Sequence, residues 1–217
     1  MLAAMGRVAH YVRMTAPGVR KAGWTAMAAF AAIIALYAAM VLLRPGFGPP
    51  FIAERRAGMP VAVIAHLAGG AVALFAGAFQ LNERLRTRFL GAHRWTGRTY
   101  VTAVAVGGAG ALALAPRSQE GLVTHVGFTM LAVLWLGTTA AAYVAIRRGD
   151  QATHRRWMIR SYALTFAAVT LRIILPAELF AGLPFHDAYQ VVAWACWVPN
   201  LIAAEWWLVA PRVQEAT

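Results

Sequence analysis

Six apolar runs, each about as long as a bilayer crossing, are separated by short stretches that hold most of the arginines, and no other feature constrains the chain as much. A helix rises about 1.5 Å per residue, so roughly 20 apolar residues cover the hydrocarbon core of a membrane. The runs are residues 23–43, 60–81, a third from near His93 to about Ala115, 121–146, 154–176 and 188–210. With short loops between them they fit the 217 residues and leave no length for a second domain. Only 13% of residues are charged, against about 25% in soluble domains. The pattern predicts an all-α integral membrane protein with six transmembrane helices, helices 2–5 forming a four-helix bundle. A basic cytoplasmic leader (1–22) would precede the membrane domain (23–210), and a short cytoplasmic tail (211–217) would follow it. The first run is too long for a signal-peptide core and has no evident cleavage site, so it is expected to be retained.

The net charge of +12 would suggest nucleic acid in a soluble protein. Here the cations sit between apolar runs, which is a signature of membrane orientation, and no nucleic-acid partner is expected. With the N-terminus inside, 15 basic residues fall on the inner side, including Arg84, Arg86, Arg88, Arg94, Arg98, Arg155 and Arg156. The outer side holds four: Arg44, Arg55, Arg56 and Arg117. The bias predicts both termini in the cytoplasm and the chain in a cell membrane, with the lipid bilayer as its first partner. Trp24, Trp95, Trp157, Trp206 and Trp207 lie near span ends, where an aromatic belt forms. Cys196 is the only cysteine, which excludes an internal disulfide and reads as apolar packing.

Within the fifth run, positions 154, 158, 161, 165, 168 and 172 share one helical stripe, occupied by His, Met, Ser, Thr, Ala and Arg. A charged side chain facing lipid is costly, so this stripe should face a polar interior. Three other helices carry histidines at comparable levels. His66 lies about two turns into helix 2 and His125 about one turn into helix 4, both from the outer side. His93 begins helix 3 and His154 begins helix 5, both on the inner side. Alternate helices of an up-down bundle can face each other diagonally, giving an outer pair, His66 and His125, and an inner pair, His93 and His154.

Paired imidazoles on opposite sides of an interior suit one chemistry well. A low-spin b-type haem takes two axial histidines, small residues where the flat ring presses on helices, and cations for its propionates. Gly69, Gly70 and Gly77 on helix 2, with Gly107 and Gly108 on helix 3, are the expected small residues. Arg172 matches the outer pair in depth, and Arg94, Arg98 or Arg160 the inner pair. One or two haem b groups are thus the expected cofactor, with the four histidines as iron ligands. The blander reading makes these histidines interfacial hydrogen-bonders and pairs Arg172 with Glu178. Glu205 and Asn200 are expected to satisfy neighbouring helices.

Through AHLAGGAVALFAGAFQL, HRWTGRTY, GFTMLAVLWLGTTAAAYVAIRRGD and HRRWMIRSYALTFAAVTLRIILP, most of the chain resembles a bacterial family of multi-pass membrane proteins known only as a domain of unknown function. The layout also resembles the six-helix, two-haem cytochromes b that pass electrons from ascorbate across a membrane. That resemblance implies the same pairing, His66 with His125 and His93 with His154. That family's substrate-binding motifs have no counterpart here.

The expected function is transmembrane electron transfer, an oxidoreductase role, with a quinone, a metal, or a small-molecule or protein redox partner at either face. The alternative is a non-redox membrane protein that binds anionic lipid or a partner through its inner Arg/His surface. A transporter ranks third, because few acidic groups line the spans.

Overall fold

The computed structural model describes residues 17–44 and 46–209, with the backbone alone for 17–20, 83 and 84. Arg7, Arg13, the Arg84 side chain and the expected tail with Arg212 lie outside the described residues. Among the described residues there is no strand. Six helical segments are long and apolar enough to cross a membrane: Lys21–Leu43, Pro60–Gln80, Leu90–Arg117, Leu122–Arg147, Gln151–Phe180 and Phe185–Val209. They are called spans 1 to 6 below. Large apolar side chains such as Val61 and Phe180 point outward, as they must where the surrounding solvent is lipid. The protein is an all-α integral membrane protein with six transmembrane helices.

Local chemistry sets the ends. Span 2 opens on Pro60, whose missing N–H costs nothing in a first turn. The Asp150 carboxylate accepts the Thr153 N–H at 2.9 Å and so starts span 5. That bond holds its carboxyl below the ordinary aspartate range. Gly149 just before it, at φ +80°, takes the left-handed conformation that ends span 4.

Three features depart from the linear reading. The Pro/Gly-rich stretch 44–59 between the first two apolar runs contains a helix, Pro50–Gly58, which turns Phe51, Ile52, Arg55 and Arg56 toward the protein. This elbow helix is tied to span 1 by Arg56, which donates to the Leu42 carbonyl at 3.1 Å. The fifth run does not stop at Pro176: its second half, Ala167–Phe180, continues through that proline. Span 5 breaks instead at Phe166, and span 6 breaks at Cys196 and Trp197. Asn200 stitches the two breaks together. Its amide donates to the carbonyls of Ala163 (3.2 Å) and Cys196 (3.0 Å) and bonds the Thr170 hydroxyl. Backbone groups released at a break in lipid need such partners, and Asn200 does what was expected of it.

Spans 2 and 3 make the closest contact. A Cβ at Gly69 would sit 2.5 Å from the Gly107 nitrogen and 2.6 Å from the Ala103 carbonyl oxygen. A Cβ at Gly110 would sit 2.6 Å from the Ala62 carbonyl oxygen. Small residues let two backbones touch in a membrane, where packing rather than water exclusion drives association. Span 1 packs on span 2, with the Trp24 indole donating to the Ala78 carbonyl at 2.9 Å. Spans 3 and 4, 4 and 5, 5 and 6, and 4 and 6 also pack, and span 2 touches span 5.

The glycine contact makes a paired prediction. Gly69→Ala, which drives a methyl into the span 3 backbone, should destabilise the solubilised protein by about 1–3 kcal/mol. Gly70→Ala points into open space and should change stability by less than about 0.5 kcal/mol. Thermal unfolding followed by circular dichroism in mild detergent checks both, and equal effects would mean that the backbone contact is not what the packing rests on.

Candidate functional site

A cavity of about 310 Å³ lies between the spans and the elbow helix. This volume is at the small end of ligand pockets, which run from about 300 to 1,000 Å³. All six spans contribute to its wall, from Ile34 and Ala38 on span 1 to Tyr189 and Cys196 on span 6, and the elbow helix adds Phe51, Ile52 and Arg55. The lining is mostly hydrocarbon. Its charged or chargeable groups other than tyrosine and cysteine are His66, Arg55 and Arg172, and no Asp or Glu lines it.

His66 reaches this wall because spans 2 and 3 touch. Its Nδ1 lies 3.2 Å from the Gly107 carbonyl oxygen. A carbonyl can only accept, so Nδ1 carries the hydrogen and Nε2 of the neutral ring keeps its lone pair. Nε2 has no hydrogen-bond partner among the described residues. One turn further along the same helix, Gly70 also lines the cavity, and nothing lies within 4 Å of where its Cβ would sit. An imidazole oriented by a backbone carbonyl beside a cleared helix face is what a metal-bound macrocycle requires.

Arg172 enters the cavity from span 5. Its Nη1 donates to the Ala168 carbonyl at 2.9 Å, and its guanidinium carbon lies 5.2 Å from the centre of the Tyr37 ring. No carboxylate pairs with it among the described residues. Glu178, the partner weighed for it from sequence, has a buried Oε2 with no hydrogen-bond partner. A cation in an otherwise apolar membrane cavity is unfavourable unless something negative shares the space.

The other expected ligand residues are placed differently. His125 does not line the cavity: its Nε2 donates to the Ser118 carbonyl at 2.7 Å, in the turn between spans 3 and 4. His66 and His125 share an end of the protein, but their rings do not face each other across the cavity. On the arginine-rich side, His154 repeats the geometry of His66, with its Nδ1 donating to the Ala142 carbonyl at 2.9 Å and no partner for Nε2 among the described residues. His93 lies within electrostatic range of His154 and Arg86.

Four residues expected near a cofactor are placed otherwise. Arg160 is held by Glu205 through Nε at 2.5 Å and Nη2 at 2.8 Å, and stacks over Trp157. Arg94 is exposed, and Arg98 is exposed with its guanidinium over Trp95. Gly77 clears no space for a ring, because the Tyr162 and Tyr100 side chains fill the position its Cβ would take.

Beneath the cavity, Trp135 and Thr165 belong both to its wall and to a buried hydroxyl network that joins spans 3, 4 and 5. Tyr100, fully buried, bonds Ser161 at 2.6 Å and Thr165 at 2.8 Å, and Thr139 bonds Ser161 at 2.6 Å. Each hydroxyl has one hydrogen to donate. The Trp135 indole donates to the Thr165 oxygen, and Thr165 donates to the Ser161 carbonyl at 2.9 Å. The Thr139 hydroxyl also lies 2.8 Å from the Trp135 carbonyl, which can only accept, so the hydrogens of Tyr100, Ser161 and Thr139 are shared among these contacts. Every oxygen of the network has a partner, and the floor of the cavity is held rigidly.

Removing one hydroxyl leaves its neighbours unpaired. Tyr100→Phe and Ser161→Ala should each cost about 1 kcal/mol of stability, and the double variant less than their sum. Denaturant titration in detergent measures this, and strict additivity would mean that the two hydroxyls are not coupled.

A family model described as "Predicted membrane protein (DUF2306)" matches residues 63–208, from the second span to the end of the sixth. No curated protein and no solved structure matches the chain.

Proposed function

The chain belongs to the DUF2306 family of predicted membrane proteins, and from that premise we propose that it is a b-type haem protein that passes electrons within the membrane. The single observation that carries this reading is His66: an imidazole with its Nδ1 hydrogen on a carbonyl and its Nε2 without a partner among the described residues, on the wall of an apolar cavity that also holds Arg172. The residues on the cavity wall fit one side of the group. His66 would hold the iron through Nε2, Gly70 leaves room for a flat ring, and Arg172 would offer a counter-charge for a propionate. When bound, the haem supplies reversible one-electron redox chemistry, at a potential set by its ligands and the charges around it.

The protein's own part is to orient and to exclude water. The Gly107 carbonyl fixes the tautomer of His66, and the apolar wall keeps the site dry. His125 would serve as a second ligand once its ring turned from the Ser118 carbonyl toward the cavity. On the other side His93 and His154 form the second candidate pair, with His154 prepared as His66 is. Two such sites at opposite ends would let electrons cross the bilayer between a donor at one face and an acceptor, such as a quinone, at the other.

Reduced-minus-oxidised spectra of the purified protein, expressed with adequate haem supply, provide the test. Soret and α bands of a bis-histidine b haem are expected, His66→Ala and Gly70→Leu should each abolish the same component, and His93→Ala should leave it intact. A colourless protein would overturn the proposal. The exposed arginines, among them Arg94, Arg98 and Arg155, would then carry the remaining reading, retention of anionic lipid at that surface.

A further inference from the structure

The elbow helix places a second cation on the cavity. Arg55 lines it together with Arg172 and, like Arg172, has no ion pair among the described residues. Its position is fixed from both sides. Arg56 anchors the helix to the end of span 1, and Phe51 packs edge-on against Tyr189 of span 6 with ring centres 6.4 Å apart. Two guanidinium groups from different parts of the chain thus share one largely apolar space that holds no carboxylate. One anionic group would leave one of them uncompensated, whereas a ligand with two carboxylates on one edge satisfies both.

We propose that Arg55 and Arg172 form a two-cation clamp that takes one carboxylate each from the charged edge of the ligand, and so fixes which way round it sits, with that edge toward the elbow helix. The inference rests on the haem reading and adds to it a residue and an orientation. The clamp also acts on the redox chemistry. Reduction adds one negative charge to the site, and nearby cations favour the more negative state. The clamp therefore raises the midpoint potential.

The probes are haem b and its dimethyl ester, in which both carboxylates are masked, each titrated into the solubilised full-length apoprotein. Charge-assisted bonds to carboxylates predict that the parent binds haem b at least about tenfold more tightly than the ester. Arg55→Gln and Arg172→Gln should each lose most of that preference and shift the midpoint potential downward. Arg117→Gln, an exposed outlying arginine bonded to the Ala113 carbonyl, should do neither. Arg55→Lys and Arg172→Lys keep the charge and should retain part of the preference, which separates lost charge from lost fold in any glutamine variant that elutes as aggregate. Equal affinity of the parent for the two probes, or glutamine variants that behave like Arg117→Gln, would overturn the clamp and leave the haem reading standing. A parent that binds neither probe would overturn both.

Discussion

A bilayer core offers no water to satisfy polar groups, and the rest of this structure follows from that constraint. Every hydrogen-bonding group at membrane depth has to find its partner inside the protein. Asn200 therefore sits where two helices break, and Tyr100, Ser161, Thr139 and Thr165 close on one another rather than face lipid. Glycines at the crossing of spans 2 and 3 bring a carbonyl within reach of His66. Arg160, which would otherwise carry an unmatched charge, is paired by Glu205 from the last helix. Against this near-complete pairing, Arg172 and Arg55 stand out because they face a cavity without an anion.

Much of the architecture could be read from the chain because it depends on bulk properties. Apolar length alone sets the number of spans. The stripe on span 5 was also legible, since Ser161, Thr165 and Arg172 all turned inward toward polar partners or the cavity. Periodicity gives the inward face of each helix but not the rotation of one helix against another. His125 could therefore be placed at the right end of the protein, yet the Ser118 carbonyl that holds its ring depends on the conformation of a turn.

The departures share a cause. Pro176 reads as a stop because proline costs about 3 kcal/mol in a helix interior, yet span 5 continues through it. Phe166 carries no breaking signal, and the break there is supported by an asparagine more than thirty residues away. Gly77 reads like Gly70 in sequence. Only the tyrosine rings packed on it reveal that one glycine admits neighbours and the other leaves a gap. Arg55 was counted as a loop charge for orientation, and only the elbow helix brings it to the cavity.

The glycine contact between spans 2 and 3 has a consequence for assembly. The two helices are consecutive, joined through the short Glu83–Arg88 segment, so bringing them together closes little chain and forfeits little loop entropy. The wall that orients His66 is built wholly from this hairpin. Its geometry is thus set by the nearest neighbours in the chain, and the later spans inherit a finished surface on which to seat.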